Sequence, residues 1–229
     1  MVHSILIIIN NNHNKNIDFI DGNKKFIYCN DLFNYSDLHI LLNNIDLMVI
    51  TGGMQHIYEI DKYPELLLEM KLIDICIEKN IKIIGICLGF QLINHYFGNK
   101  IIKLDKLYFQ SCLLDKHSLN YDVINNDNYL KNINFDLLSK SISVHYDGLY
   151  ENTNNDIDII AKSIYGHIYF IKHKKYPIYG IQSHHEASIE TINNCITRLN
   201  YNGEIELFNQ ETYKNIQKIF FQHINISVS

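Results

Sequence analysis

The sequence predicts an α/β fold built on a mostly parallel sheet with helices on both faces. Three observations carry this. Short runs of β-favouring apolar residues recur along the first ninety positions. A helical pattern sits between two of them. A Gly-rich strand-to-helix junction then follows directly. Uniformly apolar runs fit strands buried on both faces, as in a parallel sheet, rather than strands with one wet face.

The first run is Ile5-Leu6-Ile7-Ile8-Ile9, the second is Leu47-Met48-Val49-Ile50, closed by Thr51-Gly52-Gly53, and the third is Ile81 to Ile86. Between the second and third, Leu66, Leu67, Met70, Ile73 and Ile77 recur at helical spacing over Pro64 to Lys79. Pro64 stands where a first helical turn tolerates it. Strand, helix, strand in this order reads as a βαβ unit. A second helix is expected from Leu88 to about Phe97, stopped by Gly98-Asn99. Ile101 to Asp136 mixes short apolar pieces with Asn/Asp-rich turns and reads as loops and edge strands. Strands are expected over Ser141 to His145, Ile157 to Ser163, His167 to His173 and Ile178 to Gln182, with Tyr165-Gly166 as a hairpin turn. Helices follow near Ser188 to Leu199 and Gln210 to His223. No repeat and no Pro/Gly/Ser linker interrupts the chain, so residues 1–229 are read as a single domain.

Composition narrows the function classes. A formal net charge of −5 and the lack of any Lys/Arg-rich run argue against a nucleic-acid surface. No apolar run approaches the ~20 residues a membrane helix needs. The N-terminus has no basic region ahead of its apolar stretch, so it does not read as a signal peptide. Cys29, Cys76, Cys87, Cys112 and Cys195 are odd in number, irregular in spacing and without a CxxC pair. That pattern speaks against a disulfide framework or a zinc site and for a reducing, cytoplasmic setting. Abundant Asn, Ile, Lys and Tyr match A+T-rich codons, so the Asn10-Asn11-Asn12 run is not read as a functional tract.

The chemistry concentrates in Gly85-Ile86-Cys87-Leu88-Gly89-Phe90-Gln91. A strand ending at Cys87 and a helix starting at Leu88 form a nucleophile elbow with Cys in place of Ser. Small residues are needed two positions to either side, and Gly85 and Gly89 supply them. A helix N-terminus favours thiolate and its amides can hold an oxyanion. Taken alone, this segment fits a buried core cysteine equally well. The second stretch is Tyr176-Pro177-Ile178-Tyr179-Gly180-Ile181-Gln182-Ser183-His184-His185-Glu186. In extended chain His184 and Glu186 project to one side, so Glu186 can orient the imidazole that takes a proton from Cys87. The His184-His185-Glu186 spacing lacks the i, i+4 pattern of a helical zinc motif.

With these segments in hand, the chain resembles class I (triad-type) glutamine amidotransferases. Their pattern is a Gly-Gly loop after a strand, then GxCxGxQ, then a strand ending in Gly-x-Gln-Phe-His-Pro-Glu. All three occur here in order, over roughly residues 45 to 190. The resemblance implies a flavodoxin-like, doubly wound, mostly parallel sheet with an added antiparallel edge. It implies release of ammonia from the glutamine side chain through a γ-glutamyl thioester. Residue by residue, Cys87 matches the nucleophile, His184 the base and Glu186 its partner. Gly53, or its neighbour Gly52, and Leu88 match the oxyanion donors, and Gln91 matches a substrate-binding Gln. Ser143-Val144-His145-Tyr146-Asp147 looks like the segment beside the substrate, which points to His145 and Tyr146. No cofactor and no metal are implied. The substrate would be L-glutamine, with ammonia passed to a separate synthase subunit if one exists, and neither nucleic acid nor membrane as partner.

Three positions depart from the pattern. The loop reads Gly52-Gly53-Met54-Gln55 in place of Gly-Gly-Pro-Gly, Ser183 replaces Phe, and His185 replaces Pro between the base and its carboxylate. An imidazole at 185 is expected to loosen that turn and to compete with His184 for Glu186. Two other readings stay open: a γ-glutamyl hydrolase or peptidase of the same fold, and a catalytically weak binding module.

Overall fold

The computed structural model describes residues 4–10, 22–203 and 205–222. Asn11 and Asn12 of the Asn run and the last expected helical residue, His223, lie outside the described residues. The strands are β1 (Ser4–Asn10), β2 (Asn23–Tyr28), β3 (Leu47–Gly53), β4 (Lys82–Ile86), β5 (Ile102–Ser111), β6 (Ile142–Gly148), β7 (Ile157–Lys162), β8 (Ile168–His173) and β9 (Ile178–Ile181). Seven of them form one sheet in the order β2-β1-β3-β4-β9-β8-β7. The run from β2 to β9 is parallel throughout. β8 and β7 then add an antiparallel edge. β5 and β6 pair separately as an antiparallel ribbon. The expected mostly parallel, doubly wound sheet is what the chain forms.

The helices are α1 (Pro64–Glu78), α2 (Leu88–Tyr96), α3 (Tyr121–Asn126), α4 (Phe135–Leu138), α5 (Ile189–Arg198) and α6 (Gln210–Gln222). Successive strand residues feed opposite faces. Leu6, Ile8, Met48, Ile50 and Ile83 pack with α1 and α2 residues such as Leu66, Leu72 and Ile93. Ile5, Ile7, Val49, Ile84 and Ile86 pack on the other face with Ile192 of α5 and Ile216 and Phe220 of α6. Both faces of the central strands are therefore dry, which is why Ile5 to Ile9, Leu47 to Ile50 and Ile83 to Ile86 carry no polar side chain.

Several elements differ from the sequence reading. The stretch read as loops and edge strands also holds α3 and the start of α4. β2 falls outside the expected strands, because Asn-Lys-Lys-Phe-Ile-Tyr looks polar. It is an edge strand, and lysines on an edge guard against pairing with other chains. β9 ends at Ile181, one residue early, and the chain beyond it is held by an isolated bridge between Ile142 and His184. The expected hairpin turn is present, with Gly166 at φ 83 between β7 and β8.

Candidate active site

Three loops at the carboxyl ends of β3, β4 and β9 meet above the middle of the sheet, where open α/β sheets place their sites. β4 ends at Ile86 and α2 begins at Leu88, leaving Cys87 alone at the corner with φ 52 and ψ −101. Such a conformation costs a non-Gly residue about 1–3 kcal/mol and persists only where its surroundings enforce it. Here they do. The Cys87 amide donates to the Ile181 carbonyl at 2.9 Å, and the Cys87 carbonyl accepts from the Gln91 amide at 3.0 Å. The two flanking glycines are needed by close approach. A Cβ on Gly85 would stand 2.4 Å from the Gly89 carbonyl oxygen, and one on Gly89 would stand 2.3 Å from that of Ile50.

His184 and Glu186 sit on the stretch after β9. The His184 amide donates to the Ile142 carbonyl at 2.7 Å, which fixes the backbone. Its ring Nδ1 lies 2.7 Å from Glu186 Oε1. The imidazole also stands beside Cys87, whose thiol donates to the Val144 carbonyl at 3.7 Å. Burial by itself disfavours protonation of His184. The Glu186 carboxylate and the Cys87 sulfur outweigh it and hold the imidazole well above its ordinary 6.5. Gly52 makes the meeting possible: a Cβ there would stand 2.8 Å from His184 Cε1 and 3.3 Å from Cys87 Cβ. The structure thus brings together the three side chains that the sequence singles out.

Gly53 lies against Leu88, whose Cδ2 would be 2.6 Å from a Cβ on Gly53. Both border the mouth of the elbow. A cavity of about 110 Å³ opens beside Cys87, walled by Gly53 to His56, by Gln91 and by Val144 to Asp147. Gln91 is buried, and its amide nitrogen donates to the Asp147 carbonyl at 3.2 Å and to Gln182 Oε1 at 3.3 Å. His145 is less available than its sequence position suggests. Its Nδ1 donates to the Asp147 carbonyl at 2.9 Å, and its Nε2 accepts from the Tyr169 hydroxyl at 3.0 Å. Burial lowers it to about 3, so the ring is neutral, and both nitrogens are spent on the protein itself. Tyr146 is exposed on the cavity wall.

Two lining residues, His56 and Arg198, lie outside the motifs above, and one of them pairs with Asp147. Asp147 is buried, with Oδ2 2.7 Å from His56 Nδ1 and Oδ1 without a partner. Arg198, at the end of α5, reaches the cavity rim and contacts Met54 Sδ at 3.6 Å. It is the single arginine of the chain, a compositional signal that could have marked it.

His185 corrects an expectation. It does not face Glu186. Its ring stacks on Phe220 of α6, with centroids 4.7 Å apart and planes at 18°. It is buried, and neither ring nitrogen has a well-formed hydrogen bond. Burial pushes it down to about 3, against a smaller opposing pull from the backbone of Ser183 and Leu138. The ring is therefore neutral and does not compete for the carboxylate. Among the other thiols, burial raises Cys29, Cys76 and Cys112 to about 12, which makes them poor nucleophiles.

An open parallel α/β sheet carrying a Cys, a His and a carboxylate in contact at the ends of its central strands defines a class of site suited to acyl transfer. The glutamine amidotransferase class-I family matches residues 21–201, and the chain belongs to that family. It is 27% identical over 199 residues to a glutamine amidotransferase-like protein of Acanthamoeba polyphaga mimivirus, covering 84% of this chain and 82% of the relative. It is 33% identical over 114 residues to a glutamine-hydrolyzing GMP synthase subunit of Pyrococcus abyssi, covering 48% of this chain and 54% of that protein. In fold it is similar to a glutamine amidotransferase of Thermotoga maritima, with a TM-score of 0.66, 15% identity, and 99% and 100% of the two chains covered. Among the described residues, no helix is long and apolar enough to cross a membrane.

Proposed function

We propose that this chain, a single domain, hydrolyses the side-chain amide of L-glutamine by way of a thioester on Cys87. The observation that carries the reading is the contact set Cys87–His184–Glu186, with His184 Nδ1 2.7 Å from the carboxylate and Cys87 held in a strained elbow. The Glu186 carboxylate favours the protonated form of His184, the form that can hand a proton to a leaving amine.

The thiolate attacks the amide carbon, and the oxyanion takes hydrogen bonds from the Leu88 and Gly53 amides. His184 gives its proton to the amide nitrogen, ammonia leaves, and a γ-glutamyl thioester remains. Water then attacks, His184 takes its proton, and glutamate is released as the thiolate is restored. Glu186 fixes the tautomer and steadies the imidazolium. Gln91 and Tyr146 face the substrate. His145 braces the wall by holding the Asp147 carbonyl.

The similarity to a protein named as one part of a synthase supports transfer of the ammonia to a separate partner. The test is a glutaminase assay combined with a glutamine-analogue electrophile. Label is expected on Cys87 in preference to the other four cysteines, and Cys87→Ala is expected to abolish hydrolysis while keeping the fold. Even labelling across the cysteines, or an active Cys87→Ala protein, overturns the assignment.

A further inference from the structure

The turn His184-His185-Glu186 lacks a proline, so nothing in its own covalent structure fixes the angle between the imidazole and its carboxylate. It is nevertheless gripped from behind, and by one element. Gln217 Nε2, on α6, donates to the Glu186 carbonyl at 2.9 Å. One turn further along the same helix, Phe220 stacks on His185. The Tyr129 hydroxyl in turn donates to the Phe220 carbonyl at 3.0 Å, tying the helix to the body of the domain. His185, Gln217 and Phe220 are all buried. The family match ends at residue 201, whereas α6 begins at Gln210, so the gripping helix lies wholly outside the matched segment.

From this geometry we infer that α6 is a clamp on the candidate triad, with Gln217 and Phe220 as positioning residues that set where Glu186 holds His184. The two contacts are complementary. The Gln217 bond fixes the main chain at the carboxylate, and the Phe220 stack fixes the side chain of the residue between the two functional groups. Neither residue touches the cavity, so both act through the turn. Displacement of a catalytic group by about 1 Å can cost up to roughly a hundredfold in rate, so releasing one contact is expected to lower turnover without changing substrate affinity. The inference rests on the assignment of His184 and Glu186 above, and its test separates the two.

Gln217→Leu and Phe220→Ala are made in the full chain, each also combined with His185→Pro. Two quantities are read in every protein, with thermal melting as the control for folding. The first is kcat and KM for glutamine. The second is the pH dependence of Cys87 alkylation by iodoacetamide, which reports the pairing of the thiolate with His184 and needs no turnover. The expectation is a fall in kcat of roughly tenfold or more, KM within about twofold of the parent, and an alkylation profile moved toward that of an unpaired thiol. Adding His185→Pro is expected to restore much of kcat in Phe220→Ala, because the ring then fixes the turn that the stack had fixed. Folded Gln217→Leu and Phe220→Ala proteins with unchanged kcat and unchanged alkylation profiles would overturn the clamp. Loss of melting temperature alone, with both readouts unmoved, reduces α6 to a structural prop and also overturns it. If the parent has no glutaminase activity, the proposed function fails, and the alkylation profiles still decide the clamp.

Discussion

Replacing His185 with Phe should change how the protein's stability depends on pH. In the folded state His185 is sealed between the sheet and α6, without a well-formed hydrogen bond to either nitrogen, and burial holds it down to about 3. In the unfolded chain it titrates near 6.5. A group whose folded pKa is depressed in this way must stay neutral to remain folded, while the unfolded state gains a proton. Its full contribution is therefore present above pH 6.5 and is lost as the pH falls from 6.5 towards 3. The slope is about 1.4 kcal/mol per pH unit. Between pH 7 and pH 5 the parent should lose about 2 kcal/mol through this residue alone. Phe keeps the stack on Phe220 and has no proton to take up, so His185→Phe should escape that loss. Urea denaturation of both proteins at pH 7 and pH 5 measures it. Any packing change is the same at both pH values and drops out of the comparison, as do His145 and the other histidines that both proteins keep. Equal losses in the two proteins would show that His185 is reached by solvent or hydrogen-bonded, and would refute the reasoning.

Glu69 should act with the opposite sign. It is fully buried on α1, bonded to Asn10 Nδ2 at 3.2 Å, and raised to about 8 chiefly by burial. It folds protonated, so its stability contribution is complete below about pH 4.5 and is lost as the pH rises towards 8. Glu69→Gln should gain on the parent by up to about 1.4 kcal/mol per pH unit across that window, read by urea denaturation at pH 5 and pH 7. A gap that does not widen with pH would place the carboxylate in contact with water. Gly52→Ala should leave the melting temperature nearly unchanged but lower kcat for glutamine by roughly a hundredfold, because its Cβ would stand 2.8 Å from His184 Cε1. A Gly52→Ala enzyme with parental kcat would mean that His184 is free to move without consequence.

The parts legible in the sequence are those whose physics is local. β1, β3 and β4 announce themselves because burial on both faces leaves four or more consecutive positions without a polar side chain in each. The elbow is legible because a sharp turn needs Gly85 and Gly89 at fixed offsets from Cys87. His184 and Glu186 are legible because two residues of extended chain point the same way, and they do so although β9 itself stops at Ile181. What stays hidden depends on distant segments. His56 and Asp147 meet across 91 positions. β2 carries edge lysines that mask its strand pattern. The environment of His185 runs against its local sequence because it is decided by Phe220, a residue on another helix.

The ribbon of β5 and β6 is hydrogen-bonded apart from the main sheet, and its strand β6 supplies one side of the cavity from Val144 to Asp147. Its backbone tie to the reaction side is the bridge between Ile142 and His184, at the far end of β6 from Asp147. Under the proposed function, chemistry and recognition would thus be carried by separate parts of the backbone. The elbow tolerates no added methyl at Gly85 or Gly89, so its sequence is locked. Tyr146, on the ribbon and exposed, can be exchanged without disturbing the core. Under the proposed function, an engineer seeking a new substrate for the same bond-breaking step would begin at Tyr146 and leave 85 to 89 untouched.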